Sequence, residues 1–316
     1  MTILFFGSSD FSLPALKTCL KAPHKVLHVI TTPDQKKGRG LKESPSPVRL
    51  FCEERAIPIS APANLKQPEL LAKVQSLKPD LFVVASFGKI IPPAWLGVPS
   101  RAALNVHPSL LPKYRGASPI QWALLNGEKE TGITIAELTE TLDAGDILHQ
   151  IRVPIDPEVD SERLTRRLAE ISCEALQTVF KNVENGPLMR TPQAEGMSSY
   201  ARKLKKEDGR IDWSQPAQTI ANRIRGLRPW PTAYTHFEDN LLQVLKASVE
   251  EMNATENPGE LLETTKSTMR IQTGKGILQV ASVLPAGKKI MCAADFSRGK
   301  RLPPGFIFKT LSPSSR

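Results

Sequence analysis

Short, unbroken apolar runs alternate with stretches of helical periodicity over the first two-thirds of the chain. ILFF at 3–6 is apolar throughout, the pattern of a strand buried on both faces. Apolar side chains at Phe11, Leu16 and Leu20 follow at helical spacing, with Asp10 placed to cap the first turn. VLHVI (26–30) predicts a second strand. The stretch 47–55 reads as a helix with Ser46 as N-cap and Pro47 at the first helical position, and 68–77 as another helix opened by a proline. DLFVVAS (80–86) and ALNVH (103–107) are apolar strands, and 120–125 is a short helix that Gly127 ends. ITIAEL (133–138) and ILHQIRV (147–153) predict two more strands, and 161–183 is the longest helical stretch. Strand and helix in alternation predict an α/β fold, a Rossmann-like and mostly parallel sheet covered by helices on both sides.

The pattern changes after residue 184. Asn185-Gly186-Pro187 ends the long helix, and a polar stretch including Gln193-Ala194-Glu195-Gly196 leads to the basic cluster Arg202–Lys206. Residues 1–189 are expected to form one domain, 190–206 a linker and 207–316 a smaller second domain. That second part predicts a helix over 215–225, then short strands at 232–237, 241–249, 269–273 and 276–285 separated by turns. Short strands with Gly and Pro between them predict an OB-like β-barrel.

Composition refines this picture through charge. The chain of 316 residues carries 42 Lys and Arg against 32 Asp and Glu, a formal net charge of +10. Residues 1–200 hold 23 basic and 21 acidic side chains, whereas 201–316 hold 19 and 11, so most of the excess lies in the last third. Such a surface fits an anionic partner such as nucleic acid; read from charge alone, it serves solubility equally well. Cys19, Cys52, Cys173 and Cys292 are widely separated, which gives no zinc or disulfide framework and suits a reducing, cytoplasmic setting. No apolar run approaches the ~20 residues of a membrane span, and the amino terminus reads as a strand rather than a signal peptide.

A Rossmann-like fold invites a dinucleotide, yet the first strand is followed by Gly7-Ser8-Ser9-Asp10, with one glycine where that fingerprint needs three. A GxxxxGK[ST] phosphate loop is also absent. The chemistry concentrates elsewhere, in Asn105-Val106-His107-Pro108-Ser109-Leu110-Leu111-Pro112-Lys113-Tyr114-Arg115-Gly116. Asn105 and His107, two apart at the end of a strand, share one face and project into the crevice where α/β folds bind ligands. Leu142-Asp143-Ala144-Gly145-Asp146 offers a carboxylate beside a glycine. Asn, His and Asp suit acyl transfer as oxyanion donor, acid–base and orienting charge. On residues alone the matter stays open: a lone His at a strand end is more often structural, and DAGD also reads as a turn.

The run LNVHPSLLPKYRGASPIQWALLNGEKETGITI with LDAGDIL resembles the signature of the folate-dependent formyltransferases. The resemblance extends to SPSPVR (44–49), RIDW (210–213), RPWPTA (228–233) and PAGKKIM (285–291), and is strongest to the branch that acts on initiator tRNA. It implies transfer of the formyl group of 10-formyltetrahydrofolate to the α-amine of methionine on initiator tRNA, without metal or nucleotide. It implies Asn105, His107 and Asp143 as catalytic residues, with Asp143 favouring a charged imidazole and carrying the proton, and Ser109, Leu110, Leu111 and Pro112 as a folate-contacting wall. The first domain then holds folate and catalysis, the second grips tRNA, and the chain works as a monomer in the cytoplasm, away from membranes.

A tRNA partner also accounts for the charge map. Arg39 and Lys42, in a glycine-punctuated loop with Lys36 and Lys37, are expected to meet the acceptor stem, with Lys203, Lys205 and Lys206 extending the track. Trp213 and Trp230 read as packing residues. An amino-sugar N-formyltransferase is the rival reading, although its small substrate needs no such basic surface. A non-enzymatic tRNA-binding protein on the same fold is a second, which the intact Asn105, His107 and Asp143 disfavour.

Overall fold

The computed structural model describes residues 1–37, 42–238, 240–252 and 257–309. The chain divides into two compact units. Met1–Pro119, Glu130–Pro154 and Thr165–Arg202 make the first; Ile120–Lys129, Ile155–Leu164 and the chain from Lys203 onward make the second.

In chain order the elements are β1 (Thr2–Gly7), α1 (Ser12–Cys19), β2 (Lys25–Ile30), β3 (Gln35–Lys37), β4 (Lys42–Ser44), α2 (Pro47–Glu54), β5 (Ile59–Ser60), α3 (Pro68–Ser76) and β6 (Leu81–Ala85). Then come α4 (Pro93–Leu96), β7 (Ala102–His107), β8 (Arg115–Gly116), α5 (Pro119–Leu125), β9 (Glu130–Glu137), β10 (Ile147–Pro154), α6 (Ser161–Asn185) and β11 (Tyr200–Ala201). The main sheet of the first unit has seven strands in the order β10-β9-β7-β6-β1-β2-β5. From β7 to β5 all pairs are parallel, while β9 and β10 run antiparallel at one side. The strand order reverses between β1 and β6, which puts the ligand crevice of this fold at their carboxyl ends.

Apolarity explains the centre of the sheet: Ile3, Leu4, Phe5 and Phe6 are fully buried, and so are Leu81, Phe82 and Val83. Phe6 meets the rings of Phe82, Phe87 and Trp95 edge-on, with centroids 5.1, 5.5 and 6.1 Å away. Ser46 caps α2 as its sequence suggests, accepting the Arg49 N–H at 3.0 Å. Asp10 does not cap α1. Phe11 holds the N-cap position without a side-chain bond, and Asp10 stays exposed. The buried Ser12 hydroxyl instead braces the turn before the helix, accepting from the N–H groups of Ser8 and Ser9 and donating to the Ala85 carbonyl at 2.6 Å. A hydroxyl both accepts and donates, so it can tie β1 to β6; a carboxylate cannot.

The stretch expected as a linker is a bonded strap over most of its length. Thr191 exchanges two backbone hydrogen bonds with Ile147, and β11 adds a parallel strand to β8. Residues up to Arg202 therefore belong to the first unit, because their backbone groups find partners there rather than in water.

In the second unit, α7 (Ala217–Gly226) precedes β12 (Tyr234–Phe237), β13 (Asn240–Glu250), β14 (Leu261–Thr264), β15 (Met269–Gln272), β16 (Ile277–Pro285), β17 (Met291–Cys292) and α8 (Ala293–Lys300). The strands form an antiparallel sheet in the order β12-β13-β16-β15-β14, with β17 on β16. Two register shifts between Val244 and Ala247 bend the long β13, curling the sheet into a half-barrel. The segment after α8 spans the remaining gap: Ile307 bridges Glu260 on the β14 side and Lys309 bridges His236 on β12. Phe308 drops from it into the core, beside Phe306 and Trp213. Trp213 is buried as expected, its indole N–H donating to Thr235 Oγ1 at 3.1 Å. Trp230 is not. Held between Pro229 and Pro231, it is 55% exposed, because the proline-flanked turn carries its ring away from the core.

Candidate active site

Three segments of the first unit meet at the carboxyl end of β7. β7 brings Asn105 and His107 to one face at its last residues, as the period of a strand requires. The loop after β9 brings Asp143, which adopts a left-handed backbone with φ of +53°. The turn before β8 brings the Tyr114 carbonyl, and β8 itself the Gly116 amide.

Asp143 sits at the centre. One carboxylate oxygen accepts an N–H of the Asn105 amide at 2.8 Å, and the other accepts the Gly116 N–H at 2.7 Å. His107 Nε2 donates to the Tyr114 carbonyl at 2.9 Å, and its Nδ1 lies 3.6 Å from Asp143 Oδ2, at ion-pair rather than hydrogen-bond range. A carbonyl can only accept, so this bond assigns the proton to Nε2 and leaves Nδ1 as the basic nitrogen in the neutral ring. The imidazole and carboxylate are 5% and 8% exposed, so their interaction is poorly screened by water.

The loop geometry is enforced by the backbone. Gly145 has no room for any side chain: a Cβ there would lie 1.9 Å from the Glu137 carbonyl oxygen. The Glu137 N–H in turn donates to the Asp146 carbonyl at 2.9 Å, which closes the loop onto the end of β9. Gly116 has a φ of +113°, and a Cβ there would meet the Ala201 carbonyl at 2.8 Å.

The segment 109–112 is a wall, held from behind. Ser109 is fully buried, and its hydroxyl donates to the Lys113 carbonyl at 2.6 Å rather than facing a ligand. Leu111 is buried too, its N–H on Thr134 Oγ1 at 3.2 Å and its carbonyl accepting from Gln150 at 2.9 Å. Leu110 and Pro112 stay half-buried and form the accessible part. One strand over, a cavity of about 290 Å³ is lined by Ser8, Ser9, Asp10, Thr32, Pro33, Ser44, Ser46, Pro47, Ser86, Phe87 and Gly88. None of Asn105, His107 and Asp143 lines it, but Ala85 pairs with Val106, so Ser86 stands level with His107.

Arg39 lies outside the described residues, and of Lys42 only its backbone place on β4, paired with β3, is described. Lys203, Lys205 and Lys206 are exposed in the second unit, where the Lys205 N–H donates to Asp208 at 2.7 Å. Among the described residues no group of His, Cys, Asp and Glu could hold a metal ion, and no helix is long and apolar enough to cross a membrane.

Sequence reasoning missed Arg115 and Gln193. Gln193 donates to the carbonyls of both Asp143 and Gly145, at 2.8 and 2.7 Å, and accepts from Arg115. Arg115 also pairs with Glu195 at 2.7 Å, which holds that carboxyl below the usual carboxylate range. A lone glutamine in a polar stretch carries no sequence signal; its role exists only once the strap has folded back.

Comparison with known proteins gives a consistent family. Residues 1–180 match the formyl transferase family model and 203–301 the model of the formyl transferase C-terminal domain. The methionyl-tRNA formyltransferase of Citrifermentans bemidjiense is 39% identical over 96% of this chain and 95% of its own. That of Geobacter metallireducens is 40% identical over 96% and 97%. Among solved structures, an N-formyltransferase from Helicobacter canadensis in complex with folinic acid and dTDP-3-aminofucose superposes with a TM-score of 0.68 at 19% identity, over 88% of this chain and 98% of that one. HypX from Aquifex aeolicus with tetrahydrofolic acid gives 0.60 at 21%, over 98% and 50%. At these identities the solved structures share the fold.

Proposed function

The chain belongs to the formyl transferase family, and from that membership we propose that it transfers the formyl group of 10-formyltetrahydrofolate to the α-amine of methionyl initiator tRNA. The observation that carries this reading is the meeting of Asn105, His107 and Asp143 at one strand end. Relatives that match nearly the whole chain are methionyl-tRNA formyltransferases, whereas the amino-sugar enzyme shares the fold at 19% identity.

Bound folate supplies an activated formyl carbonyl; everything else is supplied by side chains. Asn105 keeps one amide N–H on Asp143 and directs its second to the formyl oxygen, where negative charge develops. His107 accepts the proton of the attacking α-amine at Nδ1 and returns it to the departing folate nitrogen as the new N–C bond forms and the old one breaks. Asp143 stabilises the imidazolium between those steps, at 3.6 Å. This reading moves the proton carrier from Asp143, whose oxygens are both engaged, to the histidine. Leu110 and Pro112 face the folate, while Ser109 and Leu111 hold the wall from inside.

The first unit holds folate and performs the transfer, and the second binds tRNA through the net positive charge of the chain from Lys203 onward, Lys203, Lys205 and Lys206 included. Arg39 and Lys42 meet the acceptor stem. On this reading the enzyme works in the cytoplasm as a single chain. The experiment is formyl transfer from 10-formyltetrahydrofolate to methionyl initiator tRNA, to elongator tRNA and to dTDP-linked amino sugars. Initiator tRNA is formylated in preference to the others; transfer to the sugar without transfer to tRNA overturns the reading. Alanine at both Arg39 and Lys42 flattens the log affinity against log salt plot for tRNA by about one unit per lost phosphate contact.

A further inference from the structure

Asp143 is held in a closed ring of hydrogen bonds that leaves the catalytic loop, crosses the strap and returns. Its carbonyl accepts from Gln193 Nε2 at 2.8 Å, and the same nitrogen donates to the Gly145 carbonyl at 2.7 Å. Gln193 Oε1 accepts from Arg115 Nε and Nη2 at 3.0 and 2.8 Å. Arg115 is followed by Gly116, whose N–H donates to the Asp143 carboxylate at 2.7 Å. We propose that Gln193 is a positioning residue for the reaction, fixing the direction of the Asp143 carboxylate through this ring.

Two observations separate this role from simple attachment of the strap. The strap is anchored at both ends without Gln193. Arg190 pairs with Glu137 at 2.8 Å and Thr191 bonds Ile147 at one end; Arg115, Ala117 and Ser118 donate to Ser199 and Ala201 at the other. Gln193 spends its two N–H groups on the carbonyls of Asp143 and Gly145, the first of which belongs to a non-glycine residue at φ of +53°. A left-handed aspartate is disfavoured and persists only where its surroundings over-determine it. The ring does so on both sides of the residue, through the carbonyl and through the carboxylate. Its outer edge is charged: Arg115 is 12% exposed and fans between Gln193 and Glu195, so the glutamine oxygen meets a fixed planar donor.

The inference rests on the catalytic reading of Asp143, and its test has one arm that does not. Gln193→Glu keeps an acceptor for Arg115 but has no N–H for the two carbonyls; Gln193→Met keeps the length and loses both functions. Turnover on methionyl initiator tRNA falls about ten- to hundredfold in both, with the KM for 10-formyltetrahydrofolate within about twofold, the pattern of a misaligned group. The kcat–pH profile moves as well, since Asp143 no longer faces His107 at one distance. Hydrogen exchange of the amides of 141–147 speeds up in both variants while that of β9 does not, a measurement that needs no substrate. Unchanged kcat, or a loss confined to KM, overturns the proposal. If the wild-type enzyme formylates no tRNA, the functional reading fails; unchanged exchange at 141–147 then overturns the ring on its own.

Discussion

Asn105 and Asp143 are joined by a 2.8 Å hydrogen bond although they lie 38 positions apart. The bond joins the end of β7 to the loop after β9, strands that pair antiparallel with Asn105 opposite Ala136. It occupies one amide N–H and leaves the second without a partner among the described residues, available to an oxygen that gains charge. The carboxylate thereby orients the amide as well as the imidazole, and the three side chains act as one unit.

His107→Ala and Asp143→Asn each lower turnover by about two orders of magnitude or more, the worth of an acid–base or electrostatic group in a preorganised site. Folate binding survives, because its wall at 109–112 is braced by Thr134 and Gln150 rather than by the catalytic residues. Steady-state kinetics beside equilibrium folate titration measure both quantities. Near-normal turnover removes the altered residue from the mechanism.

Gly145→Ala drives a methyl into the Glu137 carbonyl, 1.9 Å from where its Cβ would lie. Backbone cannot swing aside as a side chain does, so the loop shifts and carries Asp143 with it. Turnover drops at least about tenfold. Substrate titration and a melting curve on the same variant check this; full activity shows that the loop has slack.

Phe308→Ala removes a ring that is 2% exposed from the core of the second unit. The cost is about 3–5 kcal/mol, the usual range for a buried phenylalanine, read from urea unfolding. A loss below about 1 kcal/mol means that the terminal segment does not close the half-barrel in solution.

Asp80 gives a pH dependence. The Thr2 backbone N–H, at 2.7 Å, and the hydroxyls of Thr2 and Ser100 donate to its carboxylate and hold its pKa below the ordinary value. A depressed carboxylate stabilises the fold above its unfolded pKa of ~3.9 and loses that contribution as pH falls through the folded value. Asp80→Asn is therefore less stable than wild type by about 1 kcal/mol at pH 7, and the gap narrows as the pH falls below ~4. A gap that is constant down to acid pH means the charge is not what Thr2 and Ser100 stabilise.

Much of this molecule is written locally. The strands of the first unit are legible as apolar runs because both of their faces are covered, and Asn105 and His107 are legible as a pair because a strand of period two puts them on one face. Gly145 and Asp143 are legible only as a motif, since the contact that makes glycine obligatory comes from Glu137, across a tertiary gap. β17 escapes because a strand of two residues is too short for periodicity to register. Trp230 escapes because burial is a property of the turn that carries it. The Tyr114 partner of His107 could not be read at all: which nitrogen holds the proton depends on that carbonyl, and a backbone group has no sequence signature. Gln193 stands at the far end of this scale, a polar residue in a stretch that reads as tether. The sequence determined which polar side chains stand at the end of β7 and in the loop after β9; folding the strap back onto β8 decided how they are aimed, because hydrogen bonds over tens of residues exist only after the chain has closed on itself.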